Sequence, residues 1–181
     1  ILDGGSGGTE WAGTANAGTW DFAATGKATI TLADNNDSAT FDDAGTIDMA
    51  THSDITGKVD LDTYNPLNNT IVIQFGLAGS PVGNSVELDN YIDTGIFTEQ
   101  SWVIPRVDLG LTSGVVDEMT ITITRSGGSK PTIKFDDIQI EDDGESVVFK
   151  AQPARGERVH VNGFIVSAAN NVTSIVTGST T

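Results

Sequence analysis

Two adjacent carboxylates, Asp136 and Asp137, interrupt the segment Pro131-Thr132-Ile133-Lys134-Phe135-Asp136-Asp137-Ile138-Gln139-Ile140. Acids placed side by side are oxygen ligands for a hard cation, and calcium gathers roughly six to eight such oxygens from carboxylates and carbonyls. Ile133 and Phe135 share one parity while Ile138 and Ile140 share the other, so one extra residue has to be absorbed around the two acids. That phase slip predicts a β-bulge, a device that re-aims side chains. The competing reading leaves one aspartate in solvent and uses the other to satisfy backbone N–H groups.

Other chemistry-bearing residues are more scattered. Asp34-Asn35-Asn36-Asp37 and Asp142-Asp143-Gly144-Glu145 carry ligand oxygens, but neither has the spacing of an EF-hand loop, and both read as solvated turns. Stacking on a sugar ring requires an exposed aromatic face beside amides or carboxylates. Trp20 and Tyr64 are the freest candidates for that role, whereas Trp102 lies in an apolar strand and reads as core. For catalysis only His52 and His160 are available, neither in a Ser-His-Asp context, and nothing singles out a working pair among the 25 acids. The expectation is therefore no catalytic residue and no enzyme activity.

The elements that must position these residues are strands. Ala28, Ile30 and Leu32 alternate with Thr29 and Thr31; Ile71, Ile73, Phe75 and Leu77 alternate with Thr70, Val72, Gln74 and Gly76; Met119, Ile121 and Ile123 alternate with Thr120, Thr122 and Thr124. Period two is the signature of a half-buried strand. Further strands are expected at 58–61, from Val86, at 102–105 and, after the acidic run 141–145, at 146–150, 158–166 and 173–176. The stretch 39–49 is too interrupted by Gly and Asp to assign, although Phe41 and Ile47 read as core anchors. No window sustains the i, i+3, i+4 spacing of a substantial amphipathic helix.

Composition narrows the class. With 181 residues, 21 Gly and 38% hydrophobic content, the chain suits short strands joined by many turns around one sizeable core. A formal net charge of −16 repels phosphate backbones and anionic lipid, which disfavours nucleic-acid and membrane partners and favours cations. Without cysteine there is no disulfide and no thiolate zinc site, and no apolar run approaches the length of a membrane span. A chain opening on Ile1 is expected to be a processed product or a fragment. Three parts are expected: a Gly-rich arm over 1–20, a β-sandwich over 21–145, and a C-terminal β-segment over 146–181 that docks on a neighbour or begins a further domain. The arm cannot order itself in isolation: it is either a flexible leader or is pinned by Trp11 and Trp20 across a sandwich or a neighbouring subunit, with Trp11 the candidate subunit contact; Arg155 and Arg158, close together, are candidates for contacts with acidic neighbours.

The order Trp102-Val103-Ile104-Pro105, then the alternating strand 119–124, then Ile133-Lys134-Phe135-Asp136-Asp137-Ile138-Gln139-Ile140 resembles the closing half of the β-jelly-roll carbohydrate-binding modules and galactose-binding-like domains. The resemblance covers roughly 21–141 and implies an all-β jelly-roll sandwich with a structural calcium at Asp136 or Asp137. The segment from Phe149 to Val161, with Pro153-Ala154-Arg155-Gly156-Glu157 before a strand, is similar to one in tailed-phage particle proteins. Together these imply a non-enzymatic structural protein of a phage-like particle, a capsid decoration, cement or fibre-associated subunit, with protein subunits as partners in a symmetric oligomer or particle surface. The alternative is a calcium-stabilised carbohydrate-binding module of a secreted polysaccharide-processing protein. Either implies an extracellular or virion-surface setting.

Overall fold

Alternating side chains build the strands of two five-stranded sheets, in a computed structural model that describes residues 1, 11–22, 27–33, 35–111, 114–128, 130–142, 146–147, 158–161, 164–167 and 176–177. In chain order the strands are β1 (Ala12–Ala17), β2 (Thr19–Asp21), β3 (Lys27–Thr31), β4 (Asn36–Asp48), β5 (His52–Asp62), β6 (Asn69–Leu77), β7 (Ser80–Glu87), β8 (Gln100–Pro105), β9 (Val115–Arg125) and β10 (Thr132–Asp142). The first sheet has the order β1-β4-β9-β6-β7 and the second β2-β3-β10-β5-β8. Short 3₁₀ turns at Met49–Thr51 and Leu88–Asn90 are the helical elements among the described residues. This is an all-β jelly-roll sandwich.

The interior follows from the alternation. Ile71, Ile73 and Phe75 of β6, Met119, Ile121 and Ile123 of β9, and Ala39 and Phe41 of β4 turn inward from the first sheet. Ile30, Ile133, Phe135, Ile55, Val59 and Ile104 answer from the second. Each large aliphatic or aromatic side chain so buried contributes about 1.5–3 kcal/mol of transfer free energy. An aromatic chain runs between the layers: Phe41 meets Phe22 edge-on at 5.8 Å, Phe22 stacks on Trp20 at 6.1 Å, and Trp20 on Phe135 at 6.2 Å.

Three expectations are corrected. Residues 12–21 are not an arm: β1 and β2 are edge strands of the two sheets, and the chain passes from one to the other at Gly18. Its φ of +84° favours glycine, and a Cβ there would meet the Asp37 carboxylate at 2.5 Å. The unassigned stretch 39–49 lies mostly within β4, a 13-residue strand whose irregularity between Asp42 and Ile47 absorbs the Asp and Gly residues that read as a break. Asp37 is no solvated turn residue either, being fully buried with Oδ2 accepting from the Ala33 N–H at 2.8 Å.

The chain divides into two compact units, Ile1–Glu141 and Asp142–Thr181, close to the acidic run 141–145. In the second, β11 (Ser146–Val147) pairs with β14 (Val176–Thr177), and β12 (Arg158–Val161) pairs with β13 (Phe164–Ser167), all antiparallel. Arg155 and the Arg158 side chain lie outside the described residues.

Candidate functional site

The β-bulge is present where the parity slips. Asp137 has φ +47°, a left-handed conformation that breaks the pleat of β10 between Phe135, which faces inward, and Ile138, which also does. An aspartate tolerates this region better than a branched residue, because its short side chain competes for local hydrogen bonds. Asp136 Oδ1 accepts from the Asp137 N–H at 2.9 Å. The other oxygen, Oδ2, lies 2.6 Å from Lys27 Nζ, its cross-strand partner on β3. Asp137 Oδ2 lies 2.5 Å from Lys58 Nζ on β5.

The outside of the second sheet continues in this manner. Lys134 of β10 pairs with Asp60 of β5 at 3.1 Å, Thr56 donates to Glu141 at 2.8 Å, and Lys58 also reaches Glu99 at 4.0 Å. Three of the five lysines thus sit on one face, each with its own carboxylate. Hydrogen bonds to Asp136 and Asp137, reinforced by the charges themselves, hold Lys27 and Lys58 above the usual lysine range. Among the described residues no group of three or more His, Cys, Asp and Glu is placed to share a cation. At the bulge the described donors fit ammonium groups, and a calcium ion would have to displace a lysine to reach either Oδ2.

The first sheet presents a different exterior. Thr120, Thr122 and Thr124 of β9 project from it, with Thr40 and Ser38 of β4 on one side and Gln74 and Thr70 of β6 on the other. Asn16 Nδ2 donates to Thr40 Oγ1 at 2.7 Å, and that oxygen lies 2.9 Å from Thr120 Oγ1. Gln74, the partner of Thr120 on β6, donates to the Val82 carbonyl of β7 at 2.9 Å. Hydroxyl and amide side chains therefore run across β1, β4, β9 and β6 and reach the backbone of β7. Asp42 and Glu118, cross-strand partners, close one end of this face. The one basic residue of the five strands, Arg125, ends β9 with its guanidinium turned to the Gly128 carbonyl and the Asn35 side chain.

The aromatic candidates are interior. Trp20 is 9% exposed, paired with Ile30 across β2 and β3, its indole N–H donating to the Ala17 carbonyl at 3.1 Å. Tyr64 is 3% exposed; its hydroxyl lies 2.6 Å from Asp89 Oδ2 and 3.0 Å from the Asn69 carbonyl, and burial followed by the Asp89 bond raises its pKa. Neither offers a face for stacking, because each has a core-facing strand or turn position that its neighbours close. Trp11 is likewise buried in this core, which fits the pinning across a sandwich and not the contact with another subunit. Trp102 is core, as its strand suggested. His52 hydrogen-bonds the Asp48 carbonyl at 2.9 Å, and the His160 side chain lies outside the described residues. Sequence reasoning located the acids but missed their lysines and the threonine face; the signal for both was parity, since Lys134, Thr120, Thr122 and Thr124 occupy outward positions of their strands.

No protein-family model matches the sequence, and no curated protein does. Among solved structures, a family 30 carbohydrate-binding module is similar at 16% identity with a TM-score of 0.52, over 87% of this chain and 93% of that one. A low-affinity xylan-binding module of family 86 from Roseburia intestinalis is similar at 15% identity and a TM-score of 0.47, over 73% and 88%. The enzymatically active domain of a bacteriophage CBA120 tailspike protein is similar at 11% identity and a TM-score of 0.40, over 73% of this chain and 18% of that one. At such identities the likeness is one of architecture, and the first of the three is the one that supports it. The chain is a β-jelly-roll sandwich with the fold of the carbohydrate-binding modules.

Proposed function

We propose that the jelly-roll unit is a non-catalytic recognition module that binds a carbohydrate on the outside of one sheet. The observation that carries this reading is the architecture shared with a family 30 carbohydrate-binding module at a TM-score of 0.52. The hydroxyls, amides and carboxylates on the outer faces are groups that hydrogen-bond sugar hydroxyls. Binding without turnover is the expected behaviour: isothermal calorimetry and affinity electrophoresis against a panel of soluble polysaccharides should register an interaction, and a reducing-end assay should register no cleavage. Silence across the whole panel would overturn the reading, as would release of reducing ends. Such a module works outside the cell or on a particle surface; among the described residues no helix is long and apolar enough to cross a membrane.

A second reading, a structural subunit of a phage-like particle such as a capsid decoration or fibre-associated protein, is favoured by a specific surface feature. Ile96, Phe97, Val103 and Val107 are exposed within or beside β8, an edge strand of the second sheet, with Phe97 at 52% and Val107 at 61%. Exposed apolar side chains beside a free strand edge are a basis for subunit contacts. Native mass spectrometry with and without chelator tests this reading together with a structural calcium at Asp136 and Asp137. A monomer whose mass and thermal midpoint ignore the chelator would remove both the oligomer and the metal.

A further inference from the structure

We infer that the carbohydrate face is the outside of the first sheet, and that its substrate class is a neutral polysaccharide held by hydroxyl and amide hydrogen bonds without an aromatic platform. This rests on the carbohydrate-binding reading above and says which face is used and for what chemistry. The aromatic residues in β1, β4, β6, β7 and β9 are Phe41 and Phe75, and both are buried. The five strands themselves therefore offer a sugar no ring to stack on and present donors and acceptors instead.

Their arrangement suits an extended polymer. Asn16, Thr40, Thr120 and Gln74 lie on four successive strands, and three strand spacings of about 4.8 Å make a strip roughly 14 Å long across the sheet, the reach of a short oligosaccharide. Farther along β9 the strip through Thr124 continues to Asn36 and Thr70, while the one through Thr122 joins Ser38 on one side and meets the apolar Val72 on the other. The links from Asn16 through Thr40 to Thr120 hold these groups in place before a ligand arrives, which lowers the entropic cost of binding.

Charge selects the class. Among the described residues this face has no free ammonium or guanidinium, its one Arg being engaged by Gly128 and Asn35, while Asp42 and Glu118 stand at its end and the whole chain carries −16. A polyuronate or sulfated glycan is repelled from such a surface, and a neutral chain is not. The lysines that could attract an anion lie on the other sheet, each beside a carboxylate.

The test compares the intact chain with a Thr40→Val, Thr120→Val, Thr122→Val variant and with a Lys58→Met, Lys134→Met variant of the opposite face. Valine keeps the branched shape and strand preference of threonine, so the fold survives while the hydroxyls go; circular dichroism and the thermal midpoint check this. Probes are soluble mixed-linkage β-glucan, xylan and polygalacturonate. The expected result is binding of a neutral polymer, no binding of polygalacturonate, at least about tenfold weaker binding in the valine variant, and unchanged binding in the methionine variant. Backbone amide NMR shifts on adding β-glucan or xylan to the intact chain, concentrated in β4, β9 and β6, would agree without any mutation. Polysaccharide binding that survives the valine changes, or fails with the methionine changes, overturns the assignment of the face and leaves the carbohydrate reading standing. A preference for polygalacturonate overturns the substrate class. Failure of the intact chain to bind any polysaccharide takes down both.

Discussion

The outsides of the two sheets use strand positions of the same kind for opposite purposes. Along β9 the outward positions hold Thr120, Thr122 and Thr124; along β10 they hold Lys134, then Asp136 and Asp137 at the bulge, then Gln139 and Glu141. On the charged face every lysine lies against a carboxylate, so the groups that could grip a ligand already grip each other. Releasing them for a partner would expose charges that attract one another, even if each exposed pair contributes little to stability. A threonine hydroxyl can exchange water for a sugar hydroxyl at small cost, since neither state leaves an unbalanced charge. Chemical richness in a sequence is therefore a poor guide to availability: the densest cluster of ionisable groups is the more self-satisfied surface.

The largest way to break this contrast is from beneath. Trp102 of β8 lies against Gly57 of β5, directly under Thr56 and Lys58, and a Cβ on Gly57 would collide with the indole ring. Trp102→Ala should cost about 3–5 kcal/mol in denaturant titration. Gly57→Ala, which overpacks the same place, should cost about 1–3 kcal/mol. Both should disturb the charged face, seen as shifted lysine Nζ resonances, while leaving the amide shifts of β9 nearly unchanged.

Tyr64→Phe comes next, at about 1–2 kcal/mol, because Asp89 loses a buried donor and keeps the weaker bond from the Ile71 N–H at 3.3 Å. It also sharpens the alkaline behaviour. The folded state raises the pKa of Tyr64, and of Lys27 and Lys58, above the unfolded values of 10.0 and 10.5. A group whose pKa is raised by folding contributes its stability fully below the unfolded value and loses it as pH climbs through the folded one. The thermal midpoint should thus fall as pH passes about 10, and Tyr64→Phe should make that fall shallower. A midpoint flat to pH 11.5 would contradict the buried Tyr64–Asp89 bond.

The smallest effects separate the two faces directly. Lys134→Met should change stability by no more than about 1 kcal/mol and reduce its dependence on salt, since it removes one exposed ion pair. Thr122→Val should change stability by about 0.5 kcal/mol or less and leave the salt dependence alone. Equal salt responses from the two variants would mean that the exteriors do not differ electrostatically as described.

Much of this architecture was legible in residue order. Alternation in 27–32, 70–77 and 119–124 marked strands and their inner faces, and the parity change between Phe135 and Ile138 located the bulge to the pair Asp136 and Asp137, because a pleated strand cannot reverse its facing without an extra residue. The 13-residue β4 was hidden, since Asp42, Asp43 and Gly45 look like a turn to any local reading and are absorbed only by an irregular pairing with β9. Trp20 and Tyr64 looked free for the same reason: flanking Thr, Asp, Asn and Pro residues suggest exposure, yet what closes over these rings comes from elsewhere, Ile30 and Phe135 on Trp20, Asp89 on Tyr64.

Composition and period by themselves determined an acidic, cysteine-free, all-β chain and which side of each strand enters the core, because burial follows from side-chain type and a strict two-residue repeat. Tertiary structure alone decided what the outward residues do. Strands far apart in sequence, β3 with β10 and β4 with β9, had to be brought side by side before Lys27 could neutralise Asp136 or Thr40 could join Thr120. Those pairings depend on which strands become neighbours and in what register, and a hydrogen bond or ion pair acts over a few ångströms of space whatever the separation along the chain.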